Sequence, residues 1–128
     1  MDNKKILVVE DEVYLVELYT EILQKVGYQV SSSYTGDEGI KLVEQEKFDL
    51  ILLDLMLPSG TINGTYFLHL IKTDTEKYHN PLVVVLTNLT SEVIVKDIFS
   101  QKADGFLMKT ELTPEQIVKE VKNYLSKS

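Results

Sequence analysis

The chain has no cysteine among its 128 residues. That excludes a disulfide framework, a thiolate zinc site and a cysteine nucleophile together, and it fits a reducing compartment, with cytoplasm as the default. Cations are in the minority, 13 Lys and Arg against 20 Asp and Glu, for a formal net charge of −7. Affinity for nucleic acid comes largely from Lys and Arg neutralising phosphates, so direct nucleic-acid binding is not expected. No apolar run approaches the roughly 20 residues that a membrane span requires. Met1-Asp2-Asn3-Lys4-Lys5 leads straight into an aliphatic run and not into a signal-peptide pattern, so neither membrane nor export is expected. Proline is scarce, and Pro58, Pro81 and Pro114 each fall at the boundary of a patterned segment. A chain of this length fits one domain, 1–128, and buries roughly two-thirds of the surface its unfolded form exposes.

What is present is organised around Leu50-Ile51-Leu52-Leu53-Asp54. Four uninterrupted aliphatic residues read as a strand buried on both faces, since a strand with one wet face would alternate apolar with polar. Asp54 therefore stands at the carboxyl end of a central strand, where ligands bind in open parallel sheets. Ile6 to Val9 is a second such run, ending in Glu10-Asp11-Glu12, and Leu82 to Leu86 a third, after Pro81 and ending in Thr87. Gly105 to Met108 is a short strand ending at Lys109, and Tyr28 to Ser33 is more polar, suited to a sheet edge.

Helices are predicted between these strands. Leu15, Leu18, Ile22 and Val26 form an amphipathic stripe stopped by Gly27. Thr35-Gly36-Asp37-Glu38 matches a capping box before a helix carrying Ile40, Leu42 and Val43. Asn63 is the expected N-cap of a helix with Phe67, Leu68, Leu70 and Ile71. Thr90-Ser91 opens a helix through about Gln101, and Thr113-Pro114-Glu115-Gln116 starts the last one, with the tail Ser126-Lys127-Ser128 expected to fray. Five alternations of strand and helix indicate an α/β fold, a doubly wound five-stranded parallel sheet with five helices. In the flavodoxin-like order 2-1-3-4-5 the switch point lies between the strands ending in Glu10-Asp11 and Asp54.

Carboxylates converging on that crevice repel one another by roughly 4 kcal/mol per pair at about 4 Å and an effective dielectric near 20. A divalent cation would offset this, and a loose all-oxygen site suits magnesium, whereas zinc is disfavoured. The other strand ends add a hydroxyl, Thr87, and an ammonium, Lys109. Carboxylates with a metal, a hydroxyl and a cation make a cavity for a phosphoryl group, with Asp54 as a nucleophile able to form an acyl phosphate. Taken singly, an acid past a strand reads as a loop residue or N-cap, Thr87 as a turn former and Lys109 as a solvated lysine; the joint pattern shifts the balance. His69 and His79 receive no role.

These residues resemble the receiver domain of bacterial two-component response regulators over essentially the full length. The match rests on Glu10-Asp11, Asp54 with Pro58 following, Thr87 ending the fourth strand, and Lys109 ending the fifth after Phe106. The resemblance implies that Asp54 is the phosphoacceptor for a histidine kinase or histidine phosphotransfer protein. It implies Mg2+ held by Asp11 and Asp54 directly, by Glu10 through water and by the carbonyl of Met56. Thr87 and Lys109 would contact the phosphoryl oxygens, and Thr87 would couple to the rotamer of Phe106, altering the face of the fourth helix, fifth strand and fifth helix. Such a switch is a population shift, seen by a downstream protein partner. Its only catalysis would be its own phosphoryl transfer and autodephosphorylation.

Three departures from the family pattern stand out. Asn88 replaces the usual small residue after the threonine, next to the phosphoryl group. Thr110 replaces a proline whose preceding bond is usually cis; cis before a non-proline costs about 2.5–4 kcal/mol, so the expected bond is trans or a strained cis. The usual glycine appears only at Gly64, making the loop Ser59–Asn63 two residues longer. The fourth helix carries Val93, Ile94, Val95, Ile98 and Phe99, more apolar residues than one buried stripe requires: either surface aliphatics or a partner or homodimer surface near Phe106. The chain is either a stand-alone receiver or part of a longer regulator or hybrid kinase. An aspartyl phosphatase resembling the haloacid dehalogenases would need Asp-x-Asp and a cap, and a flavin site would not tolerate Glu10-Asp11-Glu12. The alternative reading is a phosphate-independent, receiver-like protein-binding module.

Overall fold

The computed structural model describes residues 3–57, 62–88 and 92–127. Five strands and five helices alternate in the order β1 (Lys5–Val9), α1 (Val13–Val26), β2 (Gln29–Ser33), α2 (Gly36–Gln45), β3 (Leu50–Asp54), α3 (Gly64–Thr73), β4 (Leu82–Thr87), α4 (Glu92–Ser100), β5 (Gly105–Met108) and α5 (Pro114–Lys127). All pairings are parallel and the strand order is β2-β1-β3-β4-β5, as predicted. Every residue of β3 is buried, and β1 and β4 are buried after their first residue. The polar β2 lies at one edge.

The period of two along each strand divides the core. Ile6, Val8, Leu50, Leu52, Val84 and Leu86 face one cluster with Tyr19 and Leu23 of α1 and Ile117, Val118 and Val121 of α5. Leu7, Val9, Ile51, Leu53, Val83 and Val85 face the other, with Val43 of α2, Phe67, Leu68 and Ile71 of α3, and Ile98 of α4. Burial of this aliphatic surface, at about 25 cal/mol per Å², is what holds helices to both faces.

Local signals fix the ends. Gly27 caps α1 in the left-handed region at φ 109°, where a side chain would be strained. The Thr35 hydroxyl accepts from the N–H of Glu38 at 3.1 Å, but the returning Glu38 carboxylate accepts from the N–H of Tyr34, one residue before the cap. At α5 the box is reciprocal: Gln116 N–H donates to the Thr113 hydroxyl at 3.1 Å and Thr113 N–H to the Gln116 amide oxygen at 2.8 Å. Asn63 caps α3, accepting from Tyr66 N–H at 2.8 Å. The tail does not fray before Lys127, because α5 runs through it and the Ser126 hydroxyl donates to the carbonyl of Asn123. The readings made on Pro58, on the loop up to Thr61, on the Thr90-Ser91 helix start and on Ser128 lie outside the described residues.

Candidate functional site

Parallel pairing delivers all the strand ends to one edge, so Glu10, Asp54, Thr87 and Lys109 arrive together from residues as far apart as 99 positions. Glu10 and Thr87 are fully buried and Asp54 is 2% exposed. Asp11 is more open to solvent. One carboxylate oxygen from each of Glu10, Asp11 and Asp54 falls within 4.8 Å of the others.

Lys109 sits among these acids, and sequence reasoning did not see how directly. Its ammonium is 2.7 Å from Glu10 Oε1, 3.5 Å from Asp54 Oδ2 and 3.7 Å from Glu12 Oε1. The offset to carboxylate repulsion is therefore partly built into the protein. One cation against the two buried acids and two more at the rim still leaves the cluster net negative. Burial pushes the Glu10 carboxyl up to about 8, against the pull of its hydrogen bond with Lys109 and with help from the charge of Asp54. Asp54 is also raised, by burial first, opposed by the Met56 N–H and the Lys109 charge. Burial pulls Lys109 down, but the Glu10 hydrogen bond and the acids around it hold it above its ordinary value.

The backbone around Asp54 is equally constrained. Met56 N–H donates to Asp54 Oδ1 at 3.0 Å, folding the chain back over the carboxylate, and Leu55 N–H continues the ladder to Leu86. Gly64 opens α3 against this turn, and any Cβ there would collide with Leu55 O and Asp54 O. That close approach accounts for a glycine at the start of α3.

Thr87, the last residue of β4, and Phe106, which is in register with Val85, fall on one face of the sheet by strand alternation. Phe106 pairs in register with Val85 and stands edge-to-face on Phe99 of α4, ring centroids 5.7 Å apart. Lys109 N–H donates to the carbonyl of Thr87 at 3.0 Å, linking the two strand ends. Asn88 is exposed beside them. Among the described residues no peptide bond is cis, so the Lys109–Thr110 bond is trans.

Sequence reasoning missed two neighbours. Glu12 reaches Lys109, and its N–H donates to Glu10 Oε2 at 3.1 Å, closing a turn that fixes the acidic loop. Tyr19, 1% exposed, is raised to about 12 by burial, with the charges of Lys109, Glu10 and Asp54 acting on it. Tyr19 lies outside the stripe of Leu15, Leu18, Ile22 and Val26 read from the sequence, because α1 buries Val16, Tyr19 and Leu23 instead, whereas the run Glu10-Asp11-Glu12 already offered a third acid.

The donor set is all oxygen, clustered, buried on two members and short of positive charge, which fits a hard cation such as magnesium and not a thiophilic metal. No helix among the described residues is long and apolar enough to cross a membrane.

Residues 6–122 match the family model of the response regulator receiver domain. The regulatory protein VanRc of Enterococcus gallinarum is 34% identical over 96% of this chain, a match spanning 50% of that protein. A CheY-like receiver domain protein from Methanospirillum hungatei JF-1 superposes with a TM-score of 0.84 at 26% identity, covering 98% of this chain and 96% of that one. The response regulator DrrB, an OmpR/PhoB homolog from Thermotoga maritima, superposes with a TM-score of 0.82 at 29% identity over 98% of this chain and 54% of its own. The chain spans half or less of the length of the curated relatives it matches. With its sheet order, its acidic crevice and its terminal lysine, the chain belongs to the response regulator receiver domain family.

Proposed function

We propose that the chain is a phosphoacceptor in a two-component system, with Asp54 taking a phosphoryl group from the phosphohistidine of a sensor kinase or histidine phosphotransfer protein. The observation that carries this reading is a buried Asp54 carboxylate next to a single lysine in an otherwise acidic, oxygen-lined crevice. An Asp54 oxygen attacks phosphorus, the P–O bond forms as the P–N bond breaks, and the released imidazole nitrogen takes a proton from solvent. Glu10, Asp11, Asp54 and the Met56 carbonyl would hold magnesium, which when bound neutralises charge on the acids and on the phosphoryl oxygens.

Lys109 then exchanges part of its contact with Glu10 and Asp54 for the phosphoryl oxygens, and the Thr87 hydroxyl donates to one of them, with Asn88 at the rim. Thr87 and Phe106 share a face of the sheet, and Phe106 touches Phe99, so a shift of Thr87 reaches α4 through packed side chains. The α4–β5–α5 face would carry that change to a downstream partner or a second copy.

Intact mass after incubation with magnesium and acetyl phosphate tests the reading. One phosphoryl adduct is expected on the wild type, none on Asp54→Ala, and none when magnesium is chelated. An adduct that persists in Asp54→Ala, or no adduct under conditions that label a control receiver without consuming phosphodonor, would sink it.

A further inference from the structure

The connection from β3 to α3, long for the family pattern, is held near both of its ends. Near its start Met56 N–H closes the turn on Asp54 Oδ1, and Leu57 is buried in the core. Near its far end Ile62 packs against the same core cluster, and its N–H donates to Asp37 Oδ1 at 3.0 Å, a contact across 25 positions. Asp37 is half-buried in the first turn of α2, where the helix dipole favours a carboxylate. Its neighbour Gly36 serves the same residue by what it lacks, since a Cβ there would collide with the Ile62 carbonyl. One residue of α2 thus grips the Ile62 N–H, and the one before it makes room for the Ile62 carbonyl.

From Ile62 the contacts run on to the phosphoacceptor through backbone. Asn63 caps α3, and Gly64, its first residue, lies so close to the end of β3 that a Cβ would collide with Leu55 O and Asp54 O. The start of α3 is therefore wedged between α2 on one side and the Asp54–Leu55 backbone on the other. A longer loop has more freedom to lose when its ends are fixed. A hydrogen bond to an ionised, half-buried carboxylate is among the stronger ones available to fix it.

We propose that Asp37 is a positioning residue for phosphoryl transfer to Asp54. By holding Ile62 it keeps the start of α3 against the Asp54–Leu55 backbone, and so keeps Met56 N–H on the Asp54 carboxylate and the Met56 carbonyl where magnesium would bind. Asp37 acts through Ile62 and not on the reacting atoms. The proposal rests on the reading of Asp54 as phosphoacceptor, and it brings into the chemistry a helix, α2, that carries none of the site residues.

Amide hydrogen exchange in the metal-free protein, followed by magnesium-dependent labelling with acetyl phosphate, tests it on the wild type, Asp37→Ala and Asp37→Asn. In Asp37→Ala the Met56 amide should exchange about tenfold faster, beyond any change at Val8 of β1, which reports global unfolding. The magnesium concentration for half-maximal labelling should rise by a similar factor. Asp37→Asn keeps a side-chain oxygen to accept from Ile62 N–H and should restore both readouts to near the wild type. Met56 exchange that rises no more than that of Val8, an unchanged magnesium requirement in Asp37→Ala, or an Asp37→Asn variant as impaired as Asp37→Ala would overturn the proposal alone. A wild type that takes no phosphoryl adduct would overturn the phosphoacceptor reading and the proposal with it.

Discussion

At the amino-terminal edge of the sheet, Asp49 and Asp104 stand just before β3 and β5, and each carboxylate bridges to a neighbouring strand. Asp49 accepts from Lys5 N–H at 2.8 Å; Asp104 accepts from Val83 N–H at 2.7 Å and pairs with Lys72 at 2.8 Å. Lys5 in turn pairs with Glu46 at 2.7 Å. At the carboxyl-terminal edge Glu10 follows β1 and Asp54 ends β3, and there, among the described residues, Lys109 is the one cation that Glu10, Asp54 and Glu12 share. The same residue type at opposite ends of one strand thus does two jobs. Where each acid has its own cation or strand N–H, charge fastens strands together; where several acids share one cation in a buried crevice, the excess negative charge costs stability and fits a further cation.

The largest effect should come from removing the one cation of the crowded edge. Lys109→Ala leaves Glu10 and Asp54 buried without it and should lower stability by about 3 kcal/mol in metal-free buffer. Urea unfolding checks this, and added magnesium should recover more of the loss in the variant than it adds to the wild type. An unaltered midpoint would mean that the two edges are not different in kind. Asp104→Ala, at the paired edge, should cost about 1–3 kcal/mol by leaving the Val83 N–H and Lys72 short of a partner, with the phosphoryl adduct undiminished. A variant that folds and fails to take phosphate would erase the division of labour.

The smallest effect concerns pH. The Glu10 carboxyl in the folded, metal-free protein is raised to about 8 from an ordinary 4.5. The folded state therefore holds a proton that the unfolded chain releases, so stability is full below about 4.5 and falls as pH rises toward about 8. Thermal midpoints across that window should decline without magnesium, and less steeply in Glu10→Gln. A wild type and a Glu10→Gln variant with equal slopes would contradict the burial of charge at this position.

The sheet was legible because its signals are local and redundant: three aliphatic runs too continuous for a half-wet strand, Gly27 in the left-handed region, and Thr35, Asn63 and Thr113 as caps. Parallel order then carried Glu10, Asp54, Thr87 and Lys109 to one edge without any knowledge of side-chain contacts. What sequence could not give was who pairs with whom. The 2.7 Å contact between Lys109 and Glu10 spans 99 positions, and no periodicity encodes it. Nor could it give which apolar residues of α4 are covered. An excess of apolar residues on α4 was visible, but only the packing shows Ile98 buried, Phe99 turned to Phe106 and Val93 left exposed.

The account stands on Asp54 being the atom-level destination of the phosphoryl group. Borohydride reduction of the acetyl-phosphate-treated protein, followed by peptide mass mapping, locates an acyl phosphate by converting that aspartate to homoserine. The predicted result is one converted residue, Asp54, in a magnesium-dependent reaction. Conversion at Asp11 or Glu12 with Asp54 intact would contradict it.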